Sequence, residues 1–554
     1  MNEVSVLVGG KAGDGITNAG TLIAQVLNHL GYFVYMYTDY PSLIRGGHNY
    51  AIVRGAEKQV SVHRNRVDFI LALDQRTVDR HRDASPASIM IVNADLVKSS
   101  HDGQEISIHA ILAAEAAPAI MGNSAMIGAF AKASGISWET VDFVFHTHVP
   151  KGLEQNLRVA HRAYDSVQTV RAIEPRKRPA QALITGNEAI SLGLVKAGLS
   201  AYISYPMTPS SGILHFLAEH ADRFCLDVIH PENEIAVILM ALGFSYAGRK
   251  VAVGTSGGGF CLMTEGLSLA GMAELPIVII VSQRTGPSTG LPTYTGQSDL
   301  GFVIHAGQGE FPRLLVAPAD ASEAYYWSDV AMSLAVKFQI PAIILSDKTL
   351  SEGMYSFDRE KTGDVMAEAK DPLLWDKIQP YSRYRDMPAG ISPLAFPGEK
   401  DAVVKVNGYA HDESGITTED AGLVSLMAKK RMSKGMELAS ELMEYHTVNV
   451  GGTAGAPVAI LCWGSVRGAC EEVADTLGLR VVQPVVLTPF PTAQLAKACI
   501  GVSRLIAVEE NATGQLGALA REHGLVVYGN ILKYDGRPFT PDELLARVQE
   551  VMTR

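Results

Sequence analysis

The sequence has few cysteines, and their scarcity excludes several kinds of metal site. Five occur among 554 residues, and no two form a C-x-x-C pair. An iron–sulfur cubane needs four suitably spaced thiolates, and a zinc site needs clustered Cys and His ligands. We therefore expect no metal on this chain and small, hydrophobic cysteines in a reducing compartment. These cysteines are Cys225, Cys261, Cys462, Cys470 and Cys499.

Long apolar runs and an excess of basic residues are also missing. The longest apolar run covers about ten residues near Ile235–Phe244, whereas a membrane span needs roughly 18. The net charge of −11 lacks the basic footprint of nucleic-acid-binding proteins. The start, MNEVSVLVGGKAGDG, lacks the basic region and cleavage site of a signal peptide. We therefore expect a cytoplasmic protein that binds neither nucleic acid nor membranes.

What the chain does contain is a repeated alternation of apolar strands and helical patterns, which predicts an α/β protein with several domains. Continuous apolar strands such as LPIVIIV predict a parallel sheet covered on both faces. The predicted division is an α/β domain over 1–172, a linker over 173–182, a second α/β domain over 183–350, a connecting segment over 351–455 and a third α/β domain over 456–554.

A glycine-rich turn over residues 9–15 follows the first predicted strand. Backbone N–H groups at the start of the next helix can hold a phosphate, and Asp39 follows the second strand, where a ribose-binding acid lies in dinucleotide folds. The spacing is neither G-x-G-x-x-G nor that of a P-loop. A nicotinamide dehydrogenase therefore stays as an alternative, beside a plain tight turn.

The segment YPMTPSS places Thr208 between two prolines at a strand-to-helix corner. Since the residue before proline avoids the helical region and proline suits the first helical position, Thr208 is expected to cap a helix. Ser210 and Ser211 would follow in its first turn. The three hydroxyls would then point into the crevice where open α/β sheets bind ligands. A helix cap without a ligand is the alternative.

Two further charged residues lie at the ends of elements in the same predicted sheet. Glu234 heads a helix that is apolar nearly all round, and a buried carboxyl group there needs a partner. Arg284 follows the strand VIIV, where a guanidinium can fork onto a carboxylate. Each residue also has an ordinary explanation: Glu234 can complement the dipole of its helix, and Arg284 can form a surface ion pair with an acidic residue. Their convergence with Thr208 suits a 2-oxo acid together with a heterocyclic cofactor.

At this point the chain resembles the alpha subunits of 2-oxoacid:ferredoxin oxidoreductases with an N-terminally fused gamma domain. YPMTPSS resembles the family's Tyr-Pro-Ile-Thr-Pro-Ser-Ser, and TSGGGF resembles its Thr-Ser-Gly-Pro-Gly-Phe, with Gly258 in place of proline. GPSTGLPT, HDESG, VEENATGQL, YDGRPF, RGGHNY and DFILALD also look like family segments. The resemblance implies a gamma-type first domain, a transketolase-like pyrimidine-binding second domain and a transketolase C-terminal-like third domain.

The family's chemistry implies roles for particular residues. Glu234 would bond N1′ of thiamine diphosphate, with Gly257, Gly258 and Gly259 beside the cofactor. Thr208 and Arg284 would be catalytic and would bind substrate together with Ser210, Ser211 and Tyr294. Mg²⁺ and a [4Fe–4S] cluster would belong to a beta subunit, in an (αβ)₂ assembly. Coenzyme A would take the acyl group, with a contribution from the 9–15 loop, and ferredoxin would take the electrons.

The substrate implied first is 2-oxoglutarate. Family members that act on it often carry a basic residue after GLPT, where this chain has Tyr294. Pyruvate, or a branched-chain or aromatic 2-oxo acid, therefore stays as an alternative, with the tyrosine walling the pocket. A non-catalytic scaffold subunit that keeps the fold is a further alternative. We also expect a large apolar contact surface near residues 230–300.

Overall fold

The computed structural model describes residues 3–42, 47–98, 103–362 and 371–553. The chain forms two compact units. The first comprises Met1–Thr185, Glu352–Asp358 and Thr540–Ala546. The second comprises Gly186–Ser351, Arg359–Phe539 and Arg547–Arg554.

Strands and helices alternate through both units. The strands are β1 (Glu3–Lys11), β2 (Phe33–Asp39), β3 (His48–Ala56), β4 (Phe69–Ala72), β5 (Ile89–Asn93), β6 (Gln104–Ile106), β7 (Ala182–Thr185), β8 (Ala201–Ile203), β9 (Asp227–Ile229), β10 (Val251–Thr255), β11 (Ile277–Gln283), β12 (Leu314–Val316), β13 (Pro341–Asp347), β14 (Met354–Phe357), β15 (Val448–Gly452), β16 (Val458–Leu461), β17 (Arg480–Pro484), β18 (Val486–Thr488), β19 (Arg504–Glu509) and β20 (Gly529–Leu532). The helices are α1 (Ile16–His29), α2 (Gln75–His81), α3 (Ile108–Ala114), α4 (Gly122–Ala133), α5 (Trp138–His148), α6 (Leu153–Ser166), α7 (Gly186–Lys196), α8 (Ser211–Glu219), α9 (Ala221–Phe224), α10 (Glu234–Tyr246), α11 (Gly257–Ala273), α12 (Leu300–His305), α13 (Ala321–Phe338), α14 (Lys348–Glu352), α15 (Ala421–Glu441), α16 (Arg467–Leu477), α17 (Thr492–Ala498), α18 (Gln515–Glu522) and α19 (Pro541–Thr553).

The sheet of the first unit has the order β6-β5-β4-β1-β3-β2-β14-β7. Strands β1, β4, β5 and β6 run parallel, whereas β3 is antiparallel to both β1 and β2. The predicted β1–α1–β2 opening is therefore correct in its elements, but β3 separates the two strands. RGGHNY begins with residues 45 and 46, which lie outside the described residues, and its remainder covers the start of β3.

The second unit contains the predicted parallel sheet. Its order is β18-β12-β13-β11-β10-β8-β9, and all neighbours from β12 to β9 are parallel. Helices α10, α11 and α13 supply apolar side chains to its faces, because such strands are hydrophobic on both sides. A third sheet, β15-β17-β16-β19-β20, is parallel except at β15. The predicted α/β class is confirmed, and the described residues form three sheets.

The stretch predicted as a connecting segment, 351–455, has several structural roles. Strand β14 pairs with β2 and β7 in the first sheet, and α15 is a long helix in the later part of the stretch. The division of the chain into three domains with a connector therefore stays a prediction, beside the two compact units.

Helix α10 is apolar nearly all round but is buried on one side only. Val237, Ile238 and Ala241 are buried, but Ile235 and Leu239 are each 49% exposed. The buried side packs on α11 so closely that a Cβ on Gly266 would contact Ile238. One side of this apolar helix thus packs on the core, and the other side is exposed.

Among the described residues no single helix has the length and apolar character to cross a bilayer, and only the bent pair Ile108–Ala114 and Ala119–Ala133 has them when its halves are combined.

A buried ion cluster fastens the long helix α15 to the end of α11. The carboxylate of Glu274 accepts hydrogen bonds from Lys430, at 2.7 and 2.9 Å, and from Lys434. All three side chains are at most 3% exposed. Burial lowers the pKa of Lys434 to about 7, although Glu274 opposes the shift. The single carboxylate therefore compensates two ammonium groups that have little access to water.

We expect Glu274→Gln to destabilise the second unit strongly. The amide keeps the shape of the side chain but leaves two buried amines without a counter-charge, and breaking a buried pair in this way costs about 3–5 kcal/mol. Chemical denaturation followed by tryptophan fluorescence measures the change. Glu437→Gln, an exposed carboxylate on α15, the helix that carries the two lysines, is the control. Equal midpoints for the two variants would contradict a stabilising role for the cluster.

Candidate active site

The predicted site residues meet at one edge of the seven-stranded sheet. Thr208 follows β8, the glycines at 257–259 follow β10, and Arg284 follows β11. Glu234 is the first residue of α10, which follows β9. Since these strands are parallel neighbours, their carboxyl ends lie along a single edge, where such sheets bind ligands.

Glu234 is a buried carboxyl group with an oxygen that has no partner. The side chain is 3% exposed, and Oε1 makes no hydrogen bond within the part of the chain that the structure describes. Asn233 caps the helix by accepting from the Ala236 N–H at 3.0 Å, so the carboxyl group is not used for capping. A buried polar atom without a partner is rare in native proteins. This oxygen is therefore suited to a ligand.

The glycines at the start of α11 shape the space around that carboxyl group. A Cβ on Gly259 would overlap Glu234 Oε1 and Thr255 Oγ1, and one on Gly257 would overlap Asp299 Oδ2. Gly258 faces open space, because its closest neighbour would be a carbonyl oxygen 3.9 Å away. Gly257 and Gly259 are thus required by close packing, whereas position 258 has room for a side chain.

Ser256 is a second unsatisfied group at the same place. It precedes α11, is 1% exposed, and its Oγ has no hydrogen-bond partner among the described residues. Sequence reasoning did not single it out, although a serine just before a glycine-rich helix start is a capping signal. With Glu234 it makes a pair of buried polar atoms beside a glycine-lined helix N-terminus. That arrangement fits a polar heterocycle such as an aminopyrimidine.

The turn around Thr208 differs from its prediction. Helix α8 begins at Ser211 with Ser210 as its N-cap, so Thr208 is not the capping residue. The reason is a tight turn before the helix, in which the Ser210 N–H donates to the Met207 carbonyl at 2.9 Å. The hydroxyl of Ser210, which is fully buried, also donates to that carbonyl at 2.7 Å and does not point into the crevice. Thr208 and Ser211 are half-buried.

Arg284 connects two predicted substrate-binding segments. Its Nη1 donates to the backbone carbonyl of Thr208 at 2.9 Å. Burial lowers the pKa of the guanidinium, and the charge of Asp299 opposes that shift. Asp299 itself has a pKa raised to about 6 by burial, partly offset by Ser298 and Arg284. The guanidinium and this carboxyl group therefore influence each other across the site.

Asp299 is a site residue that the sequence analysis missed. It occupies the N-cap position of α12 without a side-chain capping bond, and its backbone N–H donates to the Gln283 side chain at 3.0 Å. An aspartate before an apolar helical stretch, here in SDLGFV, is a recognisable N-cap signal. Its approach to Gly257 and Arg284 could not be read from that signal, because it depends on how the long loop after β11 folds back.

Tyr294 lies on that returning loop. Its carbonyl accepts from the N–H of Thr285, the residue after Arg284, at 3.3 Å. The guanidinium of Arg537 lies over the tyrosine ring, 3.7 Å from its centroid. The YDGRPF segment, which includes Arg537, is thereby brought to the GLPT segment.

The glycine loop over 9–15 forms a separate cavity in the first unit. Gly13 and Gly15 have positive φ angles of 99° and 72°, which favour glycine, and Asp14 Oδ2 accepts from the Lys11 N–H at 3.0 Å. The loop lines a cavity of about 550 Å³ at the carboxyl ends of β1 and β5. Asp39 instead lies on β2, which β3 separates from β1, and its carboxylate accepts hydrogen bonds from the hydroxyls of Tyr37 and Tyr50. This separation weakens the dehydrogenase alternative.

No cluster of three His, Cys, Asp or Glu side chains suited to a metal ion occurs among the residues described. The five cysteines are free thiols, and Cys462 and Cys470 are buried. The assignment of the magnesium and iron–sulfur groups to a partner subunit stays a prediction.

Comparison with known proteins identifies related sequences along the whole chain. Residues 193–430 match the family described as "Pyruvate flavodoxin/ferredoxin oxidoreductase, thiamine diP-bdg", and residues 5–166 match "Pyruvate ferredoxin/flavodoxin oxidoreductase". The 2-oxoacid:ferredoxin oxidoreductase 2, subunit alpha, of Aeropyrum pernix is 30% identical over 100% of this chain and 98% of its own. A 2-oxoacid:ferredoxin oxidoreductase subunit alpha of a Sulfolobus species is 29% identical over 98% of this chain and 96% of its own.

A solved structure matches the fold over its full length. It is the 2-oxoglutarate:ferredoxin oxidoreductase from Magnetococcus marinus with 2-oxoglutarate, coenzyme A and succinyl-CoA bound. Its TM-score to this chain is 0.91, with 29% sequence identity, and the alignment covers 100% of both chains. Because similarity extends over complete chains in sequence and in structure, this chain belongs to the alpha subunits of the 2-oxoacid:ferredoxin oxidoreductases.

Proposed function

We propose that this chain, together with a beta subunit, catalyses the oxidative decarboxylation of a 2-oxo acid to acyl-CoA and carbon dioxide, with electrons passed to ferredoxin. The observation that carries the proposal is the unpartnered Oε1 of buried Glu234, beside a glycine-lined helix start and on the same sheet edge as Thr208 and Arg284. The bound 2-oxoglutarate, coenzyme A and succinyl-CoA of the Magnetococcus marinus relative support it. The cytoplasm is the proposed location.

Glu234 is the residue proposed to hold the pyrimidine of thiamine diphosphate. When bound, that cofactor supplies the electron sink that lets a 2-oxo acid lose carbon dioxide. Glu234 Oε1 would form a hydrogen bond with a ring nitrogen of the pyrimidine and would keep the shared proton in place between the two atoms. Gly257 and Gly259 would let the ring approach the helix, with Gly258 on the open side. The match of residues 193–430 to a thiamine-diphosphate-binding family supports this assignment.

Thr208 and Arg284 are proposed to bind the 2-oxo acid. One guanidinium nitrogen of Arg284 is used on the Thr208 carbonyl, and the others can fork onto the substrate carboxylate. The Thr208 hydroxyl would donate to the carboxylate or keto oxygen, and Ser211 lies at the start of the adjacent helix. Asp299 would keep Arg284 oriented. Ser210 has no proposed contact with substrate, because its hydroxyl is used within the turn.

A beta subunit is proposed to complete the site. It would carry Mg²⁺, which holds the cofactor's diphosphate, and a [4Fe–4S] cluster, which passes electrons singly to ferredoxin, in an (αβ)₂ assembly. The exposed side chains of Ile235, Leu239, Met240 and Leu262 support the position of this contact, because α10 and α11 also supply Glu234 and the glycines. We call these four residues the α10–α11 apolar face.

Coenzyme A is proposed as the acyl acceptor. Within the first unit, the cavity at the 9–15 loop offers space of about 550 Å³ and a glycine-rich backbone to help hold it.

The direct test of the function is reconstitution of the chain with its beta subunit. Reduction of a viologen dye, dependent on both a 2-oxo acid and coenzyme A, is expected across a panel of 2-oxo acids. A lone chain that reduces NAD instead would contradict the proposal.

We expect Glu234→Gln to reduce turnover by about 100-fold or more, since a positioned proton-transferring group contributes about 10²–10⁴-fold. The two subunits should still copurify, because Oε1 makes no contact needed for packing. Viologen reduction and gel filtration measure the two properties. Glu232→Gln, an exposed carboxylate two residues earlier, is the control and should keep full activity. Wild-type turnover by Glu234→Gln would refute the assigned role.

We expect Thr208→Ala to lower kcat/KM by about 5–150-fold, through a lost hydrogen bond to substrate of about 1–3 kcal/mol. Thr208→Ser keeps the hydroxyl and should stay within a few-fold of wild type. Steady-state kinetics of the reconstituted pair measure both. The substrate lies elsewhere if neither kcat nor KM changes in Thr208→Ala.

We expect Leu239→Asp to abolish copurification with the beta subunit, because it places a charge in the centre of the α10–α11 apolar face. Val526→Asp, at a position 86% exposed in the same unit, is the control and should leave assembly unchanged. Affinity purification of the co-expressed pair, with iron content as a readout, measures the result. Normal assembly of Leu239→Asp would place the contact on another surface.

A further inference from the structure

A small cavity lies beyond the C-terminal ends of α10 and α11, at the opposite ends of these helices from Glu234 and Gly257. Its volume is about 60 Å³, and its wall is mostly apolar, with side chains that include Leu275, Val336 and Phe396. A single water needs about 10–15 Å³. The cavity therefore has room for a small molecule of a few non-hydrogen atoms.

The hydroxyl groups of two residues at this cavity are used within the chain. The Ser245 hydroxyl donates to the Pro276 carbonyl at 2.7 Å, and the Tyr246 hydroxyl donates to the Val404 carbonyl at 3.0 Å. These bonds fix the end of α10 against neighbouring segments. Neither hydroxyl has a proton left to donate to a ligand.

Three cationic residues and no Asp or Glu occur among the described residues that line the cavity. Two of the three are engaged by other segments. Arg249 Nη2 donates to the Ser200 carbonyl and to Asp227 Oδ2, each at 3.0 Å, and Lys250 Nζ donates to the Ala197 carbonyl at 3.0 Å.

Arg383 is the third cation, and part of its guanidinium is unused. The residue is 3% exposed, and its Nη2 donates to the carbonyls of Ala273 and Glu274, at 3.3 and 2.8 Å, at the end of α11. Its Nη1 is buried and has no hydrogen-bond partner among the residues that the structure describes. Because buried donors without a partner are rare, this nitrogen is suited to an acceptor from outside the chain.

The surroundings of Arg383 also carry an excess of buried positive charge. Lys430 and Lys434 share the carboxylate of Glu274, and both lysines are at most 3% exposed. Burial, Lys430 and Arg383 all lower the pKa of Lys434, against the opposing effect of Glu274. Three buried cations thus share one carboxylate. An anion bound to Arg383 would reduce this imbalance, since buried charges are stable only when they are compensated.

The chemistry of the cavity selects among small anions. A doubly charged anion such as phosphate would be poorly compensated by one guanidinium nitrogen in an apolar space. A carboxylate carries a single charge and is a natural acceptor for a guanidinium. A short alkyl chain would gain from burial against the apolar wall.

We propose that this cavity is a binding site for a short-chain aliphatic monocarboxylate. The carboxylate would accept a hydrogen bond from Arg383 Nη1, and the alkyl chain would pack on the apolar wall. The bound acid would hold together the ends of α10 and α11, the helices that begin at Glu234 and Gly257. The assignment does not rest on the proposed function.

The test is saturation-transfer NMR of propionate and of propionamide, an uncharged molecule of similar shape, with the full chain in complex with its beta subunit. Propionate should bind at least about tenfold more tightly, because the amide cannot form the charge-assisted hydrogen bond. Arg284→Met, which removes the arginine of the proposed active site, should keep this binding. In a crystal grown with propionate, the carboxylate should lie within hydrogen-bonding distance of Arg383 Nη1.

Two variants act on the cavity in different ways. Arg383→Met removes the cation, and Ala395→Leu fills the cavity without a change of charge, so each should weaken propionate binding at least about tenfold. Arg385→Met is the control and should keep the wild-type affinity, because Arg385 pairs with Asp376 at 3.0 Å and is not among the residues that line the cavity.

Several results would overturn the assignment: no propionate binding in wild type, equal affinities for propionate and propionamide, unchanged binding in Arg383→Met and Ala395→Leu, or loss of all binding in Arg284→Met. If Arg383→Met does not fold, because its Nη2 contacts at the end of α11 are lost, Ala395→Leu and the two probes still decide. Neither result bears on the proposed function, which has its own test.

Discussion

The arrangement of the site depends on one carboxyl group that the chain buries without satisfying. Glu234 is 3% exposed, and its Oε1 has no hydrogen-bond partner in the described part of the chain. Such a group destabilises the fold by about 1–3 kcal/mol unless a ligand completes it. Its surroundings are adapted to it, because Gly259 leaves room for the carboxyl oxygen and the helix N-terminus favours negative charge. The parallel sheet brings Thr208 and Arg284 to the same edge as this carboxyl group.

The loop that follows Arg284 is held from two sides within the second unit. The backbone and side chain of Gln297 exchange hydrogen bonds with Glu510, and the Gln297 side chain also donates to the Trp463 carbonyl at 2.8 Å. Burial raises the pKa of Glu510 to about 8, with the charge of Asp347 adding to the shift. The support comes from the backbone of Glu510, whose carboxyl group instead accepts from the Phe539 N–H at 2.9 Å. This support explains how a segment rich in glycine and threonine can present side chains in a fixed geometry.

Helix α10 connects the chemistry to assembly. One side of the helix packs on α11 and the sheet, its first residue is Glu234, and its other side exposes Ile235 and Leu239. A helix that is apolar all round is usually buried all round. In this chain only one side of α10 is buried. A partner that covers the remaining face would at the same time enclose the carboxyl group, which is consistent with a site shared by two subunits.

The sequence by itself determined the class of the fold, most strands and helices of the second unit, and the position of Glu234, Thr208 and Arg284 at the ends of its elements. These features depend on local signals: apolar periodicity, proline and glycine positions, and charged residues at element ends. Tertiary structure decided the insertion of β3 between β1 and β2, the inward use of the Ser210 hydroxyl and the approach of Asp299 to Arg284. It also decided the stacking of Arg537 on Tyr294. Each of these needs two segments to meet, and no local pattern encodes which distant segment will fill a given space.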